Sequence, residues 1–338
     1  MKKAMFYKQL ENSQVRCDLC PHYCKLEDGE IGICGVRQNR DGQLYSLVYG
    51  RTIAAHVDPI EKKPLFHVAP GSLSFSMATV GCNFKCIFCQ NSDISQVSGV
   101  KEVNRFGQEL QPEQIVRLAK SKKCKSIAYT YTEPTIFYEY AYDTCKIAKK
   151  EGLLNVFISN GYINETPLRE ISPYLDAANI DLKSFRDPFY RELIGGKLKP
   201  VLETLKLMKK LDIWVEVTTL IIPGNNDSDE ELRDIARFIS SDLGPETPWH
   251  ISRFYPQYHM TDGVATDAKH LQHAWDIGKE AGLRYVYVGN LPGDRAESTY
   301  CYSCGARLIE REGYRVLINR IADYRCPDCG AEIAGSGL

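Results

Sequence analysis

No stretch of this chain approaches the apolar length of a membrane-spanning helix. Its start, MKKAMFYKQLENSQVRCDLC, carries no apolar core of a secretory leader ahead of the first cysteine. These absences exclude a helical membrane protein and argue for a soluble protein of the cytoplasm. A surplus of charge of either sign is missing too, since 42 Lys plus Arg face 43 Asp plus Glu in 338 residues. Without a basic field there is no electrostatic footprint of a nucleic-acid groove. What the chain does have is cysteine: thirteen residues, most of them in pairs and triplets of ligand spacing. In a reducing compartment that pattern reads as metal binding rather than disulfides.

Cysteine content and periodicity divide the chain into three parts. Residues 1–65 form a cysteine-rich metal-binding segment followed by an extended lead-in wrapped around the main domain. Residues 66–295 alternate apolar runs (Leu73 to Val80, Ser126 to Tyr131, Asn155 to Ser159, Ala177 to Leu182, Trp214 to Ile222, Trp249 to Tyr255, Arg284 to Val288) with stretches of helical period such as PEQIVRLAKSKK and DEELRDIARFISSDL. Strand followed by helix, repeated, predicts an α/β fold with a parallel sheet, a pattern that a doubly wound sheet would also give. Residues 296–338 form a small four-cysteine module. In such sheets ligands lie beyond the carboxyl ends of the strands, and the polar signatures of this chain cluster there.

The first of these signatures is Cys82, Cys86 and Cys89 in TVGCNFKCIFCQN. Three thiolates suit an iron-sulfur cluster with one iron left open, whereas a structural zinc site would need a fourth donor. The motif Cys-x3-Cys-x-aromatic-Cys, with Phe88 at the aromatic position, resembles the radical S-adenosylmethionine (SAM) superfamily. The resemblance implies a partial (β/α)6 TIM-like barrel, a [4Fe-4S] cluster on Cys82, Cys86 and Cys89, and SAM bound through its amine and carboxylate to the open iron. It also implies reductive cleavage of SAM to methionine and a 5′-deoxyadenosyl radical that abstracts a substrate hydrogen.

Further matches carry candidate SAM-binding residues. Tyr131-Thr132-Glu133 stands where superfamily members commonly have Gly-Gly-Glu. Ser159-Asn160-Gly161 resembles the Thr-Asn-Gly segment of glycyl-radical-enzyme activases, with Ile158 where those have a cation-binding Asp. Asp181-Leu182-Lys183 matches the activases' Asp-Leu-Lys; alternation puts Asp181 and Lys183 on one side of the strand, where Lys183 could meet the SAM carboxylate. Pro223-Gly224 resembles their Val-Pro-Gly turn, and Asn225, Asn226 and Asp227 are candidate caps for the helix that follows. On the sixth run, either His250, Ser252 and Phe254 or Ile251, Arg253 and Tyr255 face the lumen. The Arg253 guanidinium is the expected anchor of an anionic substrate.

Two more cysteine groups flank this domain. Cys301-x2-Cys304 and Cys326-x2-Cys329 predict a zinc-ribbon-like module. Cys17, Cys20, Cys24 and Cys34 suit zinc or a second iron-sulfur cluster, with His22 as an alternative ligand. Their position ahead of the triplet, unlike the extra clusters of activase relatives, favours zinc. Both modules are expected to help cover the barrel mouth. Cys124 and Cys145 read as packing residues.

Over nearly its whole length, including both terminal cysteine groups, the chain resembles the radical SAM member of the AmmeMemoRadiSam grouping. The resemblance implies an enzyme acting on a small anionic molecule or a local protein site, with a one-electron donor such as ferredoxin or flavodoxin and with Memo-like and AMMECR-like partner proteins. The competing readings are a glycyl radical enzyme activase of the pyruvate formate-lyase activating type and a metal-dependent scaffold with a degenerate SAM site.

Overall fold

A computed structural model describes residues 1–97, 107–289 and 295–338. Part of the YVYVGNLPGDRAEST segment noted above, residues 290–294, thus lies outside the described residues. At the centre are eight strands: β1 (Ala54–Pro59), β2 (Leu73–Ala78), β3 (Ser126–Tyr129), β4 (Leu154–Ser159), β5 (Ala177–Asp181), β6 (Trp214–Ile221), β7 (Trp249–Arg253) and β8 (Val286–Gly289). They lie side by side in chain order, β2 to β8 parallel and β1 antiparallel to β2. Among the described residues β1 and β8 do not pair, so the barrel is open.

All seven apolar runs become strands. The edge strand β1 comes from the lead-in, which the sequence did not mark as part of the sheet. Between the strands run α1 (Pro112–Ser121), α2 (Tyr138–Lys150), α3 (Glu165–Ile171), α4 (Leu198–Lys210), α5 (Asp229–Phe238) and α6 (Ala268–Glu280). Their starts are set by local chemistry. The Ser228 hydroxyl accepts the Glu231 N–H at 3.3 Å, and Asp229, Glu230 and Glu231 in the first turn complement the α5 dipole. Ser228 is therefore the cap, in place of the expected Asn225, Asn226 or Asp227.

Alternation along the strands makes two cores. Outward residues, among them Ile127, Tyr129, Phe157, Val215 and Trp249, pack with helix residues such as Ile115, Tyr140, Leu205 and Met208. Each such side chain fully buried contributes about 1.5–3 kcal/mol. The inward residues Ala128, Val156 and Ala177 are small, and they pack against Ile60, Leu65 and Val68 of the lead-in. The lead-in thus threads the lumen instead of wrapping the domain. Small inward side chains leave room for it. The Pro64 carbonyl accepts from Asn179 Nδ2 at 2.7 Å, and the N–H groups of Phe66 and His67 donate to Glu216 at 3.0 and 2.8 Å.

The terminal segments attach at different ends. Val15, Leu19, Leu26, Val36 and Leu44 share the outer core, and the buried Arg37 pairs with Glu139 of α2 at 2.8 Å. The C-terminal module has short strands at Thr299–Tyr300, Arg307–Glu312 and Arg315–Asn319. It docks where the strands begin, packing on Phe66, Tyr285 and Tyr287, with Ser336 bridged to Val68. The module therefore closes the barrel floor, not the mouth as expected from sequence. Among the described residues no helix is long and apolar enough to cross a membrane.

Candidate active site

Cys82, Cys86 and Cys89 follow β2 on a loop held from several directions. Its Lys85 and Ile87 N–H groups donate to the carbonyls of Ile194 and Leu193, at the end of the turn after β5. His259 N donates to the Ile87 carbonyl, bringing in the segment after β7. Phe88 packs against Phe189 at 5.9 Å between ring centroids. The Cys82 sulfur faces the Phe84 N–H at 3.4 Å and the Asn160 amide at 3.8 Å, while Cys89 Sγ meets Ser95 Oγ at 3.1 Å. Burial pushes the Cys82 and Cys86 thiols well up, the latter to about 12. Such thiols need a cation to ionise.

The three sulfurs border a cavity of about 300 Å³ at the carboxyl ends of the strands. Among the described residues the only group of three or more Cys, His, Asp or Glu ligand atoms lying within 4.8 Å of one another is Cys301, Cys304, Cys326 and Cys329. The Cys82 triplet is thus too spread to grip one ion, for zinc bonds of about 2.3 Å hold sulfurs about 3.8 Å apart. Three spread thiolates, donors directed at sulfur and an adjoining cavity fit a four-iron cluster with one open iron.

Phe88, Tyr131, Thr132, Ser159, Asn160, Asp181 and Lys183 all reach the cavity wall. Lys183 Nζ donates to Asp181 Oδ2 at 2.8 Å. Burial lowers the Lys183 pKa, but the charges of Asp181 and the Cys86 thiolate outweigh it, so the ammonium is held above its ordinary range. Tyr131 adopts φ +66°, a left-handed geometry that costs a side chain strain where a glycine would fit freely.

Glu133, Pro223, Gly224 and Arg253 do not line the cavity. Glu133 is fully buried between strand ends. Its Oε1 accepts from Thr135 N, Thr135 Oγ1 and Ser159 Oγ at 2.6–2.9 Å, and its Oε2 accepts from Asn160 N at 2.8 Å. It orients the wall from behind. Gly224 donates to Asp227 in a turn with φ +73°. Asn226 of that loop also stays behind the wall, where its buried amide donates to the carbonyls of the wall residues Lys183 (2.7 Å) and Leu220 (2.8 Å). Arg253 donates to the Thr266 carbonyl at 2.7 Å and stacks on Tyr255, while Ser252 and Thr218 line the cavity. Tyr129 faces the helices.

Sequence reasoning missed Asp58, Lys62 and Lys63. Asp58 binds both lysines, Ser76 Oγ and Tyr131 Oη within 2.7–2.9 Å. Burial raises its pKa, but these partners together hold the carboxyl well below its usual range. Burial lowers the Lys63 pKa to about 8 despite Asp58. The only signal was the charged run DPIEKKP inside an otherwise apolar segment.

At the tail, Cys301 and Cys329 sulfurs are 3.6 Å apart and those of Cys304 and Cys326 3.7 Å, the spacing of one tetrahedral ion. Gly305 and Gly330 at φ +75° and +74° close each knuckle by donating to Cys301 and Cys326 carbonyls. At the N-terminal group, His22 Nε2 donates to the Asn83 carbonyl at 2.7 Å, which occupies that nitrogen.

Residues 77–239 match the Radical SAM superfamily. The chain is 47% identical over 335 residues, 98% of its length and 99% of the other's, to Uncharacterized protein MJ0808 of Methanocaldococcus jannaschii. It is 25% identical over 167 residues, 48% of this chain and 67% of the relative, to the pyruvate formate-lyase 1-activating enzyme of Escherichia coli strain K12. A radical SAM methyltransferase from Sphaerobacter thermophilus shares the fold with TM-score 0.50 at 13% identity, over 70% of this chain and 71% of that one. With the spread thiolate triplet opening on a strand-end cavity, these likenesses establish that the chain is an enzyme of the Radical SAM superfamily.

Proposed function

We propose that the strand-end cavity binds SAM against a four-iron cluster on Cys82, Cys86 and Cys89, and that the substrate is a small anionic molecule. When bound, the reduced cluster supplies one electron that cleaves the SAM sulfonium to methionine and a 5′-deoxyadenosyl radical. The chain's own residues position and exclude. Lys183, aimed by Asp181 and by Asn226 on its backbone, attracts the SAM carboxylate. Asn160 and Ser159 offer hydroxyl and amide groups for the amine or ribose. Phe88 and Ile158 supply apolar wall that keeps water from the radical.

The observation that carries the substrate class is the set of cations on the wall: Lys62 and Lys63, which share Asp58, and Lys183, which pairs with Asp181. A low-potential carrier of the ferredoxin or flavodoxin type supplies the electron, and Memo-like and AMMECR-like proteins are proposed to act alongside. The activase reading is supported by the 25% identity to the pyruvate formate-lyase 1-activating enzyme over 167 residues and by the Asp181-Lys183 pair, which resembles the activases' Asp-Leu-Lys.

The test is anaerobic incubation with dithionite, SAM and deuterated candidate substrates. We expect 5′-deoxyadenosine from the wild type, none from the Cys82→Ala/Cys86→Ala/Cys89→Ala variant, and deuterium arriving from a small anion. Wild-type cleavage in that variant would overturn the site, and label arriving from a partner protein's glycine would replace the small molecule by the activase substrate.

A further inference from the structure

We infer that Cys17, Cys20, Cys24 and Cys34 hold a second four-iron cluster, and that it relays electrons to the cluster at Cys82, Cys86 and Cys89. The two terminal cysteine groups look alike in sequence but not in space. The tail sulfurs close as zinc requires. No three of the ligand atoms of Cys17, Cys20, His22, Cys24 and Cys34 lie within 4.8 Å of one another. Instead the four cysteines surround a small closed void of about 20 Å³, into which their sulfurs do not converge and which Arg37, Asn83 and Thr135 also line. A sulfide-bridged iron cube spreads four thiolates over a cavity of this kind, which a single zinc cannot.

A second observation points to an occupant. Arg37 is 2% exposed, its outer nitrogens are taken by Glu139 and the Met5 carbonyl, and its Nε is buried with no hydrogen-bond partner. A buried N–H on a cation, left without an acceptor, is unfavourable. Beside four thiolates carrying a cluster it has a ready acceptor in sulfur.

The placement explains the relay. Only one wall separates the two cysteine sites. A side chain at Gly81 would come within 2.7 Å of the Cys34 carbonyl, and one at Gly35 within 2.7 Å of the Val97 carbonyl, so the two cysteine loops touch backbone to backbone. Asn83, next to Cys82, accepts from His22 through its carbonyl and from Asn160 through its side chain. Cys20 and Cys24 are partly exposed, with Tyr23 exposed between them; of the inner triplet Cys89 alone is partly exposed, onto the substrate cavity, and Cys82 and Cys86 are buried. An electron from a low-potential ferredoxin- or flavodoxin-type carrier reduces the N-terminal cluster by one, and the same electron then moves to the inner cluster, returning the first to its oxidised state. The relay rests on the radical SAM reading; the presence of the cluster does not.

The wild-type chain, reconstituted anaerobically with iron, sulfide and zinc, is expected to hold about eight irons and about one zinc. About four irons and two zincs would overturn the proposal without any variant. In the Cys82→Ala/Cys86→Ala/Cys89→Ala chain, dithionite should still produce a paramagnetic cluster signal that SAM leaves unchanged; a silent sample with no iron would also overturn it. For the relay, Cys20→Ser/Cys24→Ser should lower the ratio of carrier-driven to dithionite-driven SAM cleavage at least about tenfold. An unchanged ratio would remove the relay and leave the cluster, with the metal count deciding the latter.

Discussion

The two ends of the lumen handle buried charge in opposite ways. At the floor, Glu216 is fully buried, and both oxygens are engaged by His250 at 2.6 Å and by the N–H groups of Phe66 and His67. Burial pushes its pKa up, but the hydrogen bond and charge of His250 pull it below the ordinary carboxylate value. The tail seals this end. At the mouth, the Asp181 side chain keeps 38% of its surface and Lys183 16%, and the pair faces an open cavity. Paired charges serve structure where every lone pair is spoken for, and serve ligands where one side stays open.

The largest expected effect that separates the ends is Lys183→Met. Loss of the proposed charge-assisted hydrogen bond to the SAM carboxylate costs about 1.5–3 kcal/mol, so SAM cleavage at low SAM should fall about 10–100-fold. The change should sit in KM while iron content stays at the wild-type level. A variant with normal KM would place Lys183 with the structural pairs of the floor.

An intermediate effect probes the floor by pH. His67 donates from Nδ1 to the Ala334 carbonyl and accepts from Tyr287 Oη at Nε2, both at 2.7 Å. Burial lowers its pKa from 6.5 to about 4, although the Glu216 charge pulls upward. The unfolded chain therefore takes up more protons as pH falls below 6.5. Stability present above that value is lost progressively toward pH 4, by about 2 kcal/mol at pH 5. Denaturant titrations at pH 7 and 5 should show this loss in the wild type and a smaller one in His67→Asn. Equal losses would mean that protonation of the four-cysteine site, not of His67, governs the acid response.

The smallest effect is expected from Arg253→Ala. With Ser252 on the cavity wall and Arg253 turned to the Thr266 carbonyl, both SAM cleavage and label transfer should stay within about twofold, at a stability cost of about 1 kcal/mol. A selective drop in label transfer would instead make Arg253 the substrate clamp expected from its sequence position.

What was legible in the sequence was local. The seven parallel strands showed as continuous apolar runs because both of their faces are covered, and the thiolate triplet showed because its ligands share one loop. Alternation along β7 offered two faces but not the phase, since only the neighbours Thr218 and Asp181 tell which side is the lumen. The plug was hidden for a different reason. Phe66 and Glu216 are 150 residues apart, and Pro59, Pro64 and the charges around them look like a linker. The two terminal cysteine groups differ in the spread of their sulfurs, which spacing along a chain does not encode.

Residues 58–69 join the two ends as one continuous strut. Lys63 stands at the cavity, held by Asp58. Glu61 lies 3.5 Å from Arg311 of the tail, with neither side chain exposed to solvent, and the Phe66 carbonyl accepts from Arg311 at 2.8 Å. Ala69 N then donates to the Ser336 carbonyl. A chain shortened at Thr299 would therefore leave Glu61 buried without its cation and slacken the strut that sets Lys63 and Tyr131. The tail is a tensioner for the catalytic end, and trimming it for convenience of expression would detune SAM binding as well as remove the four-cysteine site.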